Sequence, residues 1–376
     1  MKILHLNLLQ KKIVGVNKKL ESIASAVKKN SLDIDVIVIN LEVDDTINGV
    51  RYVKLPTDVF LSTIKRKFFR YNLFDKVIDF DKYDKIILRW SGLDFSTPLF
   101  LEKYGDKIVS EHHANELAQF KENINSVSSY FSYLMTRLMY KRFLNSVSGI
   151  IGVTPEITKS HLLHNNIPNI TITNGVSVEN VTFTKFKRFD NKTLYVSFIV
   201  SSYSLWHGLD RFLNGLKKYH GDINIVLNIA GNFDSSKKEE VMSFEKKNIK
   251  IIFKGMCDDK QLDEMLSDSN LAISTLAFFR AGIRYGCPIK SREYMARGIP
   301  FIYSYHDVDI DGKDKFAMKF NDDESPIDIE SVIKFSIKVS RDNDISQKMR
   351  CLSIEKLSWD NKVLEIDNFM KKSYQL

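Results

Sequence analysis

Arg284-Tyr285-Gly286-Cys287-Pro288-Ile289-Lys290-Ser291-Arg292-Glu293-Tyr294-Met295-Ala296-Arg297-Gly298-Ile299-Pro300 reads as a glycine-bearing loop, a helix with Pro288 near its first turn, a stop at Gly298 and a strand opening at Pro300. The start of such a helix offers backbone N–H groups that have no carbonyl partner within the helix, at the positive end of its dipoles, which suits a diphosphate. Gly286 leaves room for the backbone to approach a ligand closely, with the Cys287, Pro288 and Ile289 backbone forming the rest of the loop. Lys290 adds a full charge. Glu293, three residues on and on the same helix face, accepts hydrogen bonds from two vicinal hydroxyls, which is how a ribose is held. The plain structural alternative is a surface helix whose Lys290 and Glu293 pair in solvent.

Outward from this stretch, apolar runs of strand length alternate with segments of helical period along the whole chain, the pattern of parallel sheets with crossover helices. Strands are expected at Lys2–Asn7, Asp35–Asn40, Lys85–Trp90, Lys107–Glu111, Gly149–Val153 and Asn169–Thr173. After a charged, aperiodic stretch at Val176–Lys192 come strands at Leu194–Val200, Ile223–Ala230, Ile249–Lys254, Leu271–Ser274 and Pro300–Tyr303. Helices are expected at Val16–Lys29, Leu61–Leu73 and Val127–Leu144, with two more in Ser346–Tyr374 broken near Ser358. The fold class is therefore α/β, with two doubly wound Rossmann-like domains. We place the first at 1–180, the second at 181–355, and a terminal helix at 356–376 that crosses back to the first domain. Ligands in open parallel sheets bind outside the carboxyl ends of the strands, so the site is expected in a cleft where the two domains face each other.

The chain of 376 residues has 44% hydrophobic and 27% charged residues, a globular balance that excludes disordered, collagenous and coiled-coil classes. Three cysteines without paired spacing support neither a disulfide framework nor a thiolate zinc site. No long apolar window marks a membrane span, and the amino-terminus lacks the form of a secretion signal, so a cytoplasmic protein is expected. The formal charge of +8, most of it in the first half, calls for an anionic partner, though nothing marks nucleic acid. Ile64–Tyr71 and Tyr133–Phe143 interleave cations with aromatic or long apolar side chains. That pattern suits peripheral contact with an acidic membrane surface, and equally an ordinary amphipathic helix.

Three further places are candidates for chemistry. Ser201-Ser202-Tyr203-Ser204-Leu205-Trp206-His207-Gly208 follows the first strand of the second domain, where His207 offers a hydrogen bond or charge to a leaving phosphate and Ser202 lines the turn. Ser110-Glu111-His112-His113-Ala114-Asn115-Glu116 ends a first-domain strand. Its adjacent histidines point to opposite sides, so one of His112 and His113 serves the substrate, His113 being preferred. No further ligands at metal-binding spacing stand near them, and no metal is expected. Gly15-Val16-Asn17-Lys18-Lys19 occupies the first strand-to-helix connection, where Gly15, Lys18 and Lys19 line the acceptor side.

These blocks, together with Asn174-Gly175-Val176, in this order along nearly the whole chain resemble the family 4 glycosyltransferases of bacteria. The resemblance implies the GT-B fold and retaining, metal-independent transfer of a sugar from a nucleotide diphosphate donor, UDP- or GDP-linked, without a cofactor. It also implies a glycan or lipid-linked acceptor in surface polysaccharide synthesis, such as capsule or lipopolysaccharide, at the inner face of the cytoplasmic membrane. It matches Glu293 to the carboxylate that binds the donor ribose, Lys290 and Gly286–Pro288 to the donor loop, and Asn174-Gly175-Val176 to the interdomain turn. Two departures stand out. Tyr285 occupies the place where members carry the first glutamate of a spaced pair, and Ser201 or Ser202 with His207 stand where members carry arginine and lysine. The alternatives are a GT-B nucleotide-sugar epimerase and a non-catalytic GT-B protein that binds a partner transferase or glycan.

Overall fold

A computed structural model describes residues 1–9, 14–40, 43–55, 68–122, 124–162, 166–310, 312 and 314–374. It divides the chain into two compact units, Met1–Thr173 with Trp359–Leu376, and Asn174–Ser358. The first division therefore falls at Thr173 rather than at 180, and the second at Ser358 rather than at 355. The chain enters the second unit at Asn174 and leaves it at Ser358, and these two crossings lie side by side: Val176 pairs with Ser358, its amide bonding the Leu357 carbonyl at 2.8 Å.

In the first unit the strands are β1 Ile3–Leu8, β2 Ile34–Asn40, β3 Asp45–Ile47, β4 Val50–Lys54, β5 Lys85–Arg89, β6 Ile108–His112, β7 Gly149–Gly152 and β8 Asn169–Thr171. They form one sheet in the order β3-β4-β2-β1-β5-β6-β7-β8, parallel except for the β3–β4 hairpin. Runs such as Ile3-Leu4-His5-Leu6 are buried on both faces, as a parallel sheet covered by helices requires. One face packs against α1 (Val14–Lys29) around Leu20, Ile23 and Val27. The other carries Leu4, Leu6, Ile86, Leu88 and a group of aromatic rings, among them Tyr71, Phe74 and Phe100. Helix α2 (Val127–Ser146) opens on a Ser126–Ser129 capping box.

Two strands escaped the sequence reading, β3 and β4. They meet at Asn48-Gly49, both with positive φ (50° and 83°), the two-residue hairpin turn that asparagine and glycine favour. β3 is short and fully exposed, so no apolar alternation announces it. Of the helix expected at Leu61–Leu73, positions 61–67 lie outside the described residues, as do 64–67 of the Ile64–Tyr71 segment. Its described end forms a short helix at Arg70–Phe74.

The second unit holds β9 Thr193–Ser202, β10 Asn224–Asn232, β11 Ile249–Gly255, β12 Leu271–Ile273, β13 Phe301–Tyr303 and β14 Ala317–Lys319, all parallel, in the order β11-β10-β9-β12-β13-β14. β14 had no counterpart in the sequence reading. Helix α3 (Leu209–Lys218) buries Leu209, Phe212, Leu213 and Leu216 at helical spacing, and α4 (Ile289–Arg297) buries Tyr294, Met295 and Ala296. The terminal segment breaks as expected around Ser358. Its last helix, α5 (Trp359–Ser373), packs in the first unit, with Trp359, Val363, Ile366 and Met370 beside α1. Among the described residues no helix is long and apolar enough to cross a membrane.

Candidate functional sites in the two units

In a doubly wound sheet the strand order reverses at one point, and the carboxyl ends flanking it form a natural crevice. In the second unit that point lies at β9 and β12. Beyond β9, Ser202 is exposed at the strand end, and Leu205–His207 form a single tight turn before α3. His207 therefore immediately precedes Gly208, the N-cap of α3. The His207 Nδ1 lies 3.0 Å from the Ser204 amide nitrogen and 3.1 Å from the Ser204 carbonyl oxygen, so this ring edge is held by the Ser204 backbone. Burial, with Lys290 adding to it, pushes the His207 pKa down to about 3, so the ring is neutral. Gly208 follows with φ 72°, and a Cβ there would lie 2.8 Å from the Leu276 carbonyl carbon, so glycine is needed on both counts. Beyond β12, Thr275 is fully buried with its hydroxyl unpartnered.

Helix α4 supplies the cation. Pro288 is its N-cap and Gly298, with φ 82°, its C-cap. The Lys290 ammonium is buried, forms no hydrogen bond, and lies 5.1 Å from the centre of the Phe198 ring; burial alone pushes its pKa down to about 7. An ammonium without a counter-charge among the described residues is costly to bury, and an anion at this position would offset that cost. The solvated Lys290–Glu293 pair is thereby removed: Arg297 Nη1 lies 3.8 Å from Glu293 Oε2, and the glutamate side chain is one-fifth exposed.

The loop ahead of α4 departs from the expectation for Gly286. Its amide bonds the His306 carbonyl at 2.9 Å, and a Cβ would strike the Phe278 ring at 2.3 Å. The missing side chain thus admits a ring, and the amide is already engaged. The Cys287 carbonyl accepts from Asn174 Nδ2 at 2.9 Å, so the Asn-Gly-Val turn holds the loop. Tyr285 is exposed and stacks on His306, ring centres 5.2 Å apart. Arg292, fully buried, bonds both Asp307 and Asp309 and fixes α4 to the segment after β13. Nothing in the spacing of these residues pointed to that lock, because the partners meet only once β13 is in place.

In the first unit the reversal lies at β1 and β5. Glu111, 8% exposed, is surrounded by His5 Nε2 at 2.9 Å, His113 Nε2 at 3.0 Å and Lys19 Nζ at 3.6 Å. The His113 nitrogen is close to Glu111 but not aligned for a hydrogen bond. Burial would raise the Glu111 pKa, yet His113, Lys19 and His5 hold it well below the carboxylate range. Burial, Lys19 and Arg89 push His113 down to about 3. Gly15 is exposed and Lys18 half-buried on the first turn of α1, while Lys19 is buried against Glu111.

His112 occupies the opposite side and is entirely buried, bonded to Ser110 Oγ at 2.9 Å and Glu116 Oε2 at 3.1 Å. It is thus removed from substrate contact, and of the two adjacent histidines only His113 keeps exposed ring surface. Contrary to the spacing argument, two metal-ligating side chains do converge on His112. Glu116 Oε2 lies 2.9 Å from His161 Nε2, and the three ligand atoms fall within 4.8 Å of one another. The two rings stack with centres 3.8 Å apart, and Glu116 Oε1 also accepts from the His113 amide at 2.9 Å. The group is a hydrogen-bonded knot that shapes the 112–116 turn. His161 was missed because it approaches only when the helix after β7 folds back.

Residues 180–329 match the family Glycosyl transferases group 1. Among solved structures, a glycosyltransferase from Rickettsia africae is similar over 100% of this chain and 99% of its own at 13% identity, with a TM-score of 0.62. The lipopolysaccharide outer core galactosyltransferase WaaB is similar over 100% of both chains at 12% identity and TM-score 0.63. The Anabaena protein HepE, in complex with UDP-glucose, is similar over 98% of this chain and 99% of its own at 12% identity and TM-score 0.59. The fold is GT-B. No curated protein matches the chain.

Proposed function

We propose that this GT-B protein is a retaining glycosyltransferase that moves a sugar from a nucleotide diphosphate donor to a glycan or lipid-linked acceptor in surface polysaccharide synthesis. The observation that carries the reading is the buried, unpartnered ammonium of Lys290 at the amino end of α4, beside neutral His207. A diphosphate supplies the charge that this position lacks. Glu293 one turn along grips the ribose, and a UDP-sugar is the leading donor because HepE binds UDP-glucose.

As the bond from the anomeric carbon to the diphosphate oxygen breaks, charge grows on that oxygen. In this reading Lys290, the neutral His207 ring and the first-turn amides of α4 meet that charge, so it needs no metal. The acceptor hydroxyl bonds to the anomeric carbon from the same face and passes its proton to the departing diphosphate. No pair of carboxylates at glycosidase spacing is required. His113 orients the sugar.

Peripheral contact with an acidic membrane is part of the proposal. Helix α2 has no acidic residue, and Val127, Tyr130, Phe131 and Leu138 stand exposed on it together with Arg137, Lys141 and Arg142. Phe131 joins Phe68 and Phe95 in one aromatic group, with ring centres 5.8 and 6.1 Å away, so the apolar surface extends beyond the helix.

A thermal-shift screen against UDP-, GDP-, ADP- and dTDP-sugars tests the donor. A ligand at roughly 100 times its dissociation constant adds about 2.7 kcal/mol of stability. Slow release of nucleotide diphosphate supports an enzyme, whereas binding without turnover favours the non-catalytic reading that Tyr285 raises. Near-normal turnover by both Lys290→Ala and Glu293→Ala rejects the assignment.

A further inference from the structure

The carboxyl ends of β1 and β5 flank the reversal of the first sheet, where ligands gather in doubly wound folds. Arg89 registers directly with Glu111. The pairing of β1 with β5 runs to Leu6–Leu88, so Asn7 comes next beside Arg89. Side chains alternate along a strand, and Asn7, Arg89 and Glu111 therefore share one row on the face that Lys19 of α1 covers. Glu111 has His5, His113 and Lys19 within 3.6 Å. The Arg89 guanidinium makes no ion pair or hydrogen bond among the described residues, although it is partly buried. Asn7 is entirely buried with both amide atoms unpartnered, and Asn17 Oδ1 on the first turn of α1 is likewise unpartnered.

A partly buried guanidinium that makes no hydrogen bond and a buried amide without partners are both expensive. Burial already lowers the Arg89 pKa, with Glu111 and Glu116 acting against that effect.

We propose that this row is an anion-accepting subsite, in which Arg89 forks onto a carboxylate or phosphate group carried by the acceptor and Asn7 bonds the oxygens beside it. That the anion belongs to the acceptor rests on the transferase reading; that the row binds an anionic sugar does not. A planar guanidinium matches either oxyanion with two parallel N–H donors. The shared chemistry is a sugar bearing one oxyanion, supplied either by a uronic acid or by a sugar phosphate.

The test is calorimetric titration of the full chain with methyl glucuronide, glucose 6-phosphate and neutral methyl glucoside, on the wild type and on Arg89→Ala, Arg89→Lys and Lys290→Ala. One of the anionic sugars should bind about tenfold or more tighter than the neutral one, corresponding to roughly 1.4 kcal/mol. Arg89→Ala should lose that preference, Arg89→Lys should keep part of it, and Lys290→Ala should keep all of it. A glucuronide preference names a uronate acceptor and a phosphate preference a phosphorylated one; either sustains the subsite. Equal binding of all three sugars by the wild type overturns it even if Arg89→Ala fails to fold. A preference that survives Arg89→Ala, or vanishes in Lys290→Ala, also overturns it. UDP titrated separately tests the donor reading: UDP binding that persists in Arg89→Ala shows the donor side intact whatever the anionic sugars do.

Discussion

The side-chain amide of Asn174 donates to the carbonyl oxygen of Cys287 at 2.9 Å, across 113 residues of sequence. This bond ties the turn at which the chain enters the second unit to the loop that precedes α4, and Arg292 Nε bonds the Asn174 carbonyl at 3.3 Å from the same helix. Asn174→Ala should cost about 1 kcal/mol of stability, the net worth of one such bond. Its larger effect should fall on donor KM, since the loop loses its anchor while Lys290 stays in place. Steady-state kinetics alongside a urea melt would separate the two. An unchanged donor KM contradicts the anchoring role.

If Lys290 meets the donor diphosphate as proposed, donor affinity should depend on pH. The free pKa of Lys290 is pushed down to about 7 by burial, and a bound diphosphate raises it. Affinity is then level below pH 7 and falls as pH rises above it, by up to about tenfold per unit until the bound-state pKa is reached. Lys290→Arg, charged throughout, should flatten the profile. UDP titrations between pH 6 and 9 decide this, and a flat wild-type profile removes Lys290 from the phosphates.

Glu116 is a stability residue. Burial would raise its pKa, but His112 and His161 hold it far below the carboxylate range, and the carboxylate also accepts from the His113 amide. A depressed carboxylate gives stability that is complete above its ordinary pKa and lost as pH falls. His112, whose pKa burial lowers, acts in the same direction. Glu116→Ala should cost about 3–5 kcal/mol, as when one member of a buried charged pair is removed. Glu116→Gln should cost less and flatten the acid limb of a melting curve between pH 4 and 7. A wild-type melting temperature that does not drop with acid would contradict this account.

Gly286→Ala should destabilise by about 1–3 kcal/mol, because the new methyl meets Phe278 at 2.3 Å in a packed loop. Enlarging Gly286 and shrinking Phe278 together should recover part of the loss, which a double-mutant cycle measures. No recovery would mean that the ring is not what excludes the side chain.

Changing Phe131 and Leu138 to serine should reduce flotation with vesicles rich in phosphatidylglycerol. Changing Lys141 and Arg142 to glutamate should reduce it further and remove its salt sensitivity. Turnover on a water-soluble acceptor should not change. Equal flotation of wild type and both variants removes the membrane from the proposal.

The sequence by itself determined the alternation of strands and helices, the doubly wound class, and the loop, helix and stop around Lys290. Each of these is written in local periodicity, in turn residues and in caps, which neighbours in the chain impose on one another. It also separated His112 from His113, since alternation along a strand sends adjacent side chains to opposite faces. What it left to the tertiary structure were partnerships between distant residues. Arg292 with Asp307, Glu116 with His161, and Arg89 beside Asn7 acquire their neighbours only when crossovers and register bring the strand ends together. Whether a charge is paired or bare is fixed by that assembly: Lys290 was legible in the sequence as a candidate phosphate cation, but its lack of a partner, and the place of Arg89 beside Asn7, came only with the sheets.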